Sequence, residues 1–158
     1  MRKIVFGVIL SVCIIVLVGC SGSPDASSNV SVSDVLNAIQ SSVNSVVGIE
    51  MGTEENDLNN LLGKKNQYIE LGWFMDERAI PEWTDSPEYG TDTGGTLEKF
   101  ANEADAKARH EYLQSFTGIL AQYSEIYGVW VIRLSNNFTA SQQSELLELI
   151  KNSISELE

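Results

Sequence analysis

Apolar residues change their spacing several times along this chain, and each change predicts an element. Beyond a nearly continuous apolar run from Ile4 to Val18, a polar stretch leads to Ser31. From there Val32, Val35, Leu36, Ile39, Val43, Val46 and Val47 recur at helical spacing, with Ser31 and Asp34 placed as a cap, which predicts a helix over 33–47. Gln67 to Asp76, with Tyr68, Ile69, Leu71, Trp73, Phe74 and Met75, predicts a strand, and Thr96 to Phe100 a second. Asn102, with Asp105 three positions on, predicts a helix start. Ala104, Ala108, Tyr112, Phe116, Leu120 and Tyr123 suggest one face of that helix, running to about Gln122. YSEIYGVWVIRLS predicts a tight hairpin about Gly128, with strands near 122–127 and 129–135. Thr139 and Gln142 form a Thr-x-x-Gln capping box before a last helix, with Leu146, Leu147, Ile150, Ile154 and Leu157 as its buried stripe. The order α-β-β-α-β-β-α predicts a two-layer α+β domain, an antiparallel sheet of about four strands with helices on one face.

The N-terminal run has a different meaning. It follows Arg2 and Lys3, is short for a membrane span and ends in small residues, so it predicts an export signal over 1–19. Leu17-Val18-Gly19-Cys20 resembles the lipobox of bacterial lipoproteins. That resemblance implies lipidation of the Cys20 sulfur and cleavage just before it, and the acyl chains would anchor the protein to the membrane. Residues 20–32 then form the lipidated Cys and a flexible Ser/Gly/Pro tether, and 33–158 a single extracytoplasmic domain. Cys13 leaves with the signal and Cys20 carries lipid, so the mature domain keeps no free thiol for a disulfide, a nucleophile or a metal.

Processing also sharpens the charge. Without Arg2 and Lys3 the chain holds 8 basic against 22 acidic side chains, a formal −14. Nucleic acid is a poor partner for such a surface, because its binding rests on cations that contact phosphate. Anionic lipid would repel it too, leaving the lipid at Cys20 as the membrane link. The acidity serves solubility or attracts a cationic partner.

The segment ENDLNNLLGKKNQYIELGWF, Glu55 to Phe74, invites a calcium-loop test. Counting from Asp57, the fifth, sixth and twelfth positions are Leu61, Leu62 and Tyr68, where a loop of this type requires an oxygen ligand, a glycine and a bidentate Glu. The EF-hand pattern fails. The better expectation is an ordered turn in which Asn and Asp satisfy backbone groups, Leu58, Leu61 and Leu62 pin the loop to the core, and Gly63 ends a helical turn. ENDLNNLLGKKNQY, GGTLEKFANEADAKARHEYL and EIYGVWVIRLSNNFTASQQSE together resemble blocks of a family of small secreted proteins and lipoproteins, mainly of Gram-positive bacteria. The resemblance covers most of 54–146, with Leu58 where Pro is common, and implies localisation and fold but no catalytic residue.

ERAIPEWTDSPEYGTDTGG, Glu77 to Gly95, is long for a link between neighbouring strands. It sets Trp83, Tyr89 and Ile80 among Glu77, Glu82, Asp85, Glu88 and Asp92. Aromatics among acids suit recognition, and Trp83, Tyr89, Glu82, Asp85 and Glu88 are the candidate ligand-binding residues. Alternatively Trp83 folds back over a sheet edge and the acids are only solvated. Trp73, Trp130, Tyr123 and Tyr127 fall on strands and are expected in the core. His110, the single histidine, is expected on a solvated helix face, with no nucleophile elbow around any serine. No cofactor signature is present, and no metal site is expected. Two functions stay open: a non-catalytic binding or accessory module of the cell envelope with an unknown protein or ligand partner, or a carboxylate-based hydrolase of envelope glycans.

Overall fold

A computed structural model describes residues 29–118 and 121–158. The expected signal, Cys20, most of the tether and Leu120 lie outside the described residues. The first helix, α1 (Val32–Ser42), is capped by Ser31, whose hydroxyl accepts from the Asp34 N–H while the Asp34 carboxylate accepts from the Ser31 N–H. Val30 is already buried, so the fold begins before the expected boundary at residue 33.

The expected helix over 33–47 divides. After Ser42 the chain extends into β1 (Val46–Met51), an additional strand that holds Val46 and Val47. A short run of β-branched residues satisfies helical and strand spacing alike, and here partnership with β2 (Glu70–Asp76) decides for the strand. The Asn44-Ser45 break separates the two elements.

The chain continues through β3 (Gly94–Lys99), α2 (Glu103–Gln114), β4 (Tyr123–Tyr127), β5 (Trp130–Leu134) and α3 (Ala140–Leu157). All pairings are antiparallel and the sheet order is β1-β2-β3-β5-β4. The α+β class and antiparallel sheet are therefore as expected, with five strands rather than about four. Gly94 and Gly95 have a packing reason. A Cβ on Gly94 would stand 2.1 Å from the Phe74 carbonyl oxygen, and one on Gly95 2.4 Å from the Phe74 ring. Gly128, φ +55°, takes the first central position between the paired residues Tyr127 and Trp130, where a two-residue hairpin favours glycine.

The helices divide between the faces of the sheet rather than sharing one. α1 and α3 cover Phe74, Leu97, Ile132 and Leu134 with Leu36, Ile39, Leu146 and Ile150. On the other face Ala106 and Leu113 of α2 join Tyr68, Leu71, Phe100 and Val131. The strands alternate sides, so two apolar faces each require a cover. The Asn102 and Thr139 caps form as expected, each accepting from the N–H three residues on. α2, however, ends at Gln114 instead of near 122, and its buried face is Ala106, Arg109 and Leu113. Ala104, Ala108 and Tyr112 face outward. In α3, Leu146, Leu147, Ile150 and Ile154 are buried as expected, while Leu157 is half exposed.

The sheet has two distinct ends. At one, the Lys99 ammonium donates to the Val30 carbonyl (2.7 Å) and contacts Glu70 (3.1 Å), beside the tip of the β4–β5 hairpin. At the other, Asp76, Gly94, Leu134 and Tyr123 lie next to the loop over 77–95.

Candidate functional site

The turn after β1 is built around one carboxylate. Asp57 is 5% exposed, and its oxygens accept from the N–H groups of Leu61 (2.7 Å), Leu62 (2.8 Å) and Asn59 (3.1 Å) and from the Tyr68 hydroxyl (2.8 Å). Burial by itself would raise the Asp57 carboxyl, but the Leu61 and Leu62 N–H groups and the Tyr68 hydroxyl together hold it below its ordinary value. The same burial, with the Asp57 charge, pushes the Tyr68 phenol up. The segment is thus an ordered turn. Leu61 and Leu62 pack against the core as expected, but Leu58 is 98% exposed, because the turn spends its inward positions on Asp57 and those two leucines.

Behind the turn lies a buried ion triad. Glu98 of β3 is fully enclosed. Arg109 of α2 grips it with two bonds of 2.8 Å, and Arg133 of β5 adds a third at 3.2 Å while reaching Gln122 with its other amino group. Burial acts against the Arg109 charge, but the Glu98 carboxylate overrides it and holds the guanidinium pKa above its usual value. Arg109 also lies against the rings of Tyr68 (5.9 Å) and Tyr112 (5.7 Å). This pairing explains why the polar-looking side of α2 is the buried one.

The 77–95 loop is fixed at its base. Asn137 donates to the Ala79 carbonyl (2.9 Å) and the Asp92 carbonyl (3.0 Å), and Ser135 adds a bond to the latter (2.8 Å). Thr91 and Thr96 share a hydrogen bond of 2.7 Å, and Thr93 donates to the Glu88 carbonyl (2.7 Å). At the loop's start Asp76 is locked to Arg78 at 2.7 Å. Burial would raise the Asp76 carboxyl, but the hydrogen bonds from Arg78 bring it below its ordinary value.

The two loop aromatics part company. Tyr89 folds back over β1, where its hydroxyl lies 2.2 Å from the place a Cβ on Gly48 would take. Trp83 does not fold back: it is 83% exposed. Glu82, Asp85 and Glu88 are all exposed beside it. Trp83 and Glu88 line one open hollow of about 550 Å³. Glu88 and Tyr89 line a second, of about 410 Å³, with Trp73 and Leu58. Of the five candidate residues, the structure brings Trp83, Glu88 and Tyr89 to these hollows; Glu82 and Asp85 point to solvent around them. Leu58 and Trp73 join the site without having been expected there.

Among the described residues no group of three or more histidines, cysteines or carboxylates is arranged to hold a metal ion. No described helix is long and apolar enough to cross a membrane. His110 is half-buried rather than fully solvated, its Nδ1 3.2 Å from the Ser124 hydroxyl, which also accepts from Gln114 at 3.0 Å. The contact joins α2 to β4, and Ser124 is 5% exposed. Trp130 is buried in the core as expected, whereas Trp73, Tyr123 and Tyr127 are partly buried around it. No family model matches this chain, and neither a curated protein nor a solved structure matches it.

Proposed function

We propose that this protein is a lipoprotein anchored through Cys20 to the outer face of the cell membrane, and that its domain is a non-catalytic binding module of the cell envelope. The observation that carries this reading is Trp83, 83% exposed on a loop whose base is tied down at Asp76, Ala79, Thr91 and Asp92. A large aromatic left in water by a fixed scaffold gives contact area without the entropy cost of ordering a loop. The buried carboxylates Asp57, Asp76 and Glu98 are each engaged by structural partners, and Asp57 and Asp76 are held below their ordinary values, opposite to what a general acid requires.

The placement of the chain's entry supports the same reading. A tether from Cys20 enters the fold at Val30, at the Lys99 end of the sheet. The loop with Trp83 lies at the other end, away from the point where the tether enters.

The test uses living cells and the lipidated protein with a photoreactive side chain at position 83. One enriched partner, lost when the 77–95 loop is shortened, supports the reading. Capture of nothing, together with cell-wall digestion that depends on Glu82, Asp85 and Glu88, would replace it with the glycan hydrolase. Membrane association abolished by Cys20→Ser tests the anchor separately.

A further inference from the structure

The two hollows beside the Trp83 loop adjoin at Glu88, which lines both. Together they make a broken trough whose lining runs from Trp83 past Glu88 and Tyr89 to Leu58. Its ends are the two most exposed large apolar side chains among the described residues, Leu58 at 98% and Trp83 at 83%. Its walls are acidic: Glu50 and Asp57 in one hollow, Asp92 in the other, Glu88 in both.

Apart from Asp57, whose oxygens the turn already engages, these carboxylates have no ion-pair partner among the described residues. No lysine or arginine among the described residues forms an ion pair with Glu50, Glu82, Asp85, Glu88 or Asp92. Among the described residues Arg133 is the one cation lining either hollow; its two amino groups bond Glu98, which Arg109 shares, and Gln122, and its buried Nε has no hydrogen-bond partner. Arg78, Lys99, Lys107, Arg109 and Lys151 are paired elsewhere, and Lys64 and Lys65 line neither hollow. Uncompensated carboxylates beside exposed apolar and aromatic groups select a cation on an aliphatic stem: the charge meets carboxylate, and the stem covers leucine or the indole face.

Resting on the binding reading above, we propose that the trough receives an extended, lysine- or arginine-bearing segment of a partner protein. Two adjoining hollows, each with an exposed apolar side chain and carboxylates in its lining, fit a polypeptide better than a compact ion. A second copy of this chain is disfavoured, since acids outnumber bases 22 to 10 and like charges would face each other.

The experiment measures binding of a fluorescent, acetylated Lys-Ala repeat peptide to the full chain in neutral detergent. A Glu-Ala repeat of equal length is the control. The Lys-Ala peptide should bind, and affinity should fall with added salt. Glu88→Gln and Trp83→Ala should each weaken it about tenfold. Glu156→Gln, an exposed acid on α3, should leave it unchanged. Equal binding of both peptides, equal loss on Glu156→Gln, or no binding of the Lys-Ala peptide would overturn the proposal. A partner captured at position 83 through a segment without cations would sink this proposal and leave the binding reading standing. No capture and no peptide binding would remove both.

Discussion

The turn around Asp57 and the loop around Trp83 meet at one hollow, which Asp57 and Leu58 line from the turn and Glu88 and Tyr89 from the loop, and both are crowded with acids. They use them in opposite ways. In the turn one carboxylate is buried and accepts from three backbone N–H groups and a phenol. In the loop, Glu82, Asp85 and Glu88 stand in water and form no ion pair among the described residues. The apolar residues follow the same split. Leu61 and Leu62 turn inward while Leu58 turns out, and Tyr89 lies on β1 while Trp83 stays clear of it. A carboxylate's role follows from what surrounds it, so the count of acids in a segment says little about whether the segment is a scaffold or a surface.

Substitutions can widen or collapse that contrast. The largest effect belongs to the buried side. Glu98→Gln leaves Arg109 and Arg133 enclosed without their counter-charge, and should cost about 3–5 kcal/mol in urea unfolding. A loss below about 1 kcal/mol would mean that water reaches the triad. Next comes Gly94→Ala, whose added Cβ meets the Phe74 carbonyl and has no flexible neighbour to displace. It should destabilise by about 1–3 kcal/mol and weaken protection of β2 and β3 amides in hydrogen exchange.

Asp57→Asn should cost about 1–3 kcal/mol, because the amide cannot satisfy all the donors that converge on the carboxylate. It also carries a pH signature. Asp57 and Asp76 have lowered native values, so the stability they contribute is full above the unfolded carboxylate value, about 3.9, and is lost as pH falls through the native values. Thermal melts from about pH 5 downward should show that loss in the parent and a shallower one in Asp57→Asn. An unchanged slope would remove Asp57 from the acid response.

At the small end, Glu88→Gln and Trp83→Ala should shift stability by less than about 0.5 kcal/mol, since both side chains are exposed. If either destabilises as much as Asp57→Asn, the loop is scaffold and the contrast disappears.

Much of the fold was legible because the signals are local. Ser31 with Asp34, Asn102 with Asp105 and Thr139 with Gln142 each act over three residues, and all three caps form. The hairpin at Gly128 needs only its own turn. The site was partly legible: the loop's length and its aromatics marked it, and Trp83 and Glu88 lie where a ligand could meet them. Leu58 was hidden, since a leucine beside Leu61 and Leu62 has no sequence mark that separates an outward position from an inward one.

What the sequence by itself determined was therefore the set of elements whose beginnings and turns close through neighbouring residues. Tertiary structure decided the rest. Val46 and Val47 became a strand because β2 offered an edge. The face of α2 was chosen by Arg109, whose burial is tolerable only because Glu98 waits on β3 and is shared with Arg133, 35 positions away from Glu98. Tyr89 settled on β1 because Gly48 left room for its hydroxyl, and Trp83 found no such seat. Local hydrogen bonds can be read three or four residues at a time. Charge burial and side-chain seating depend on groups that meet only when the sheet is assembled.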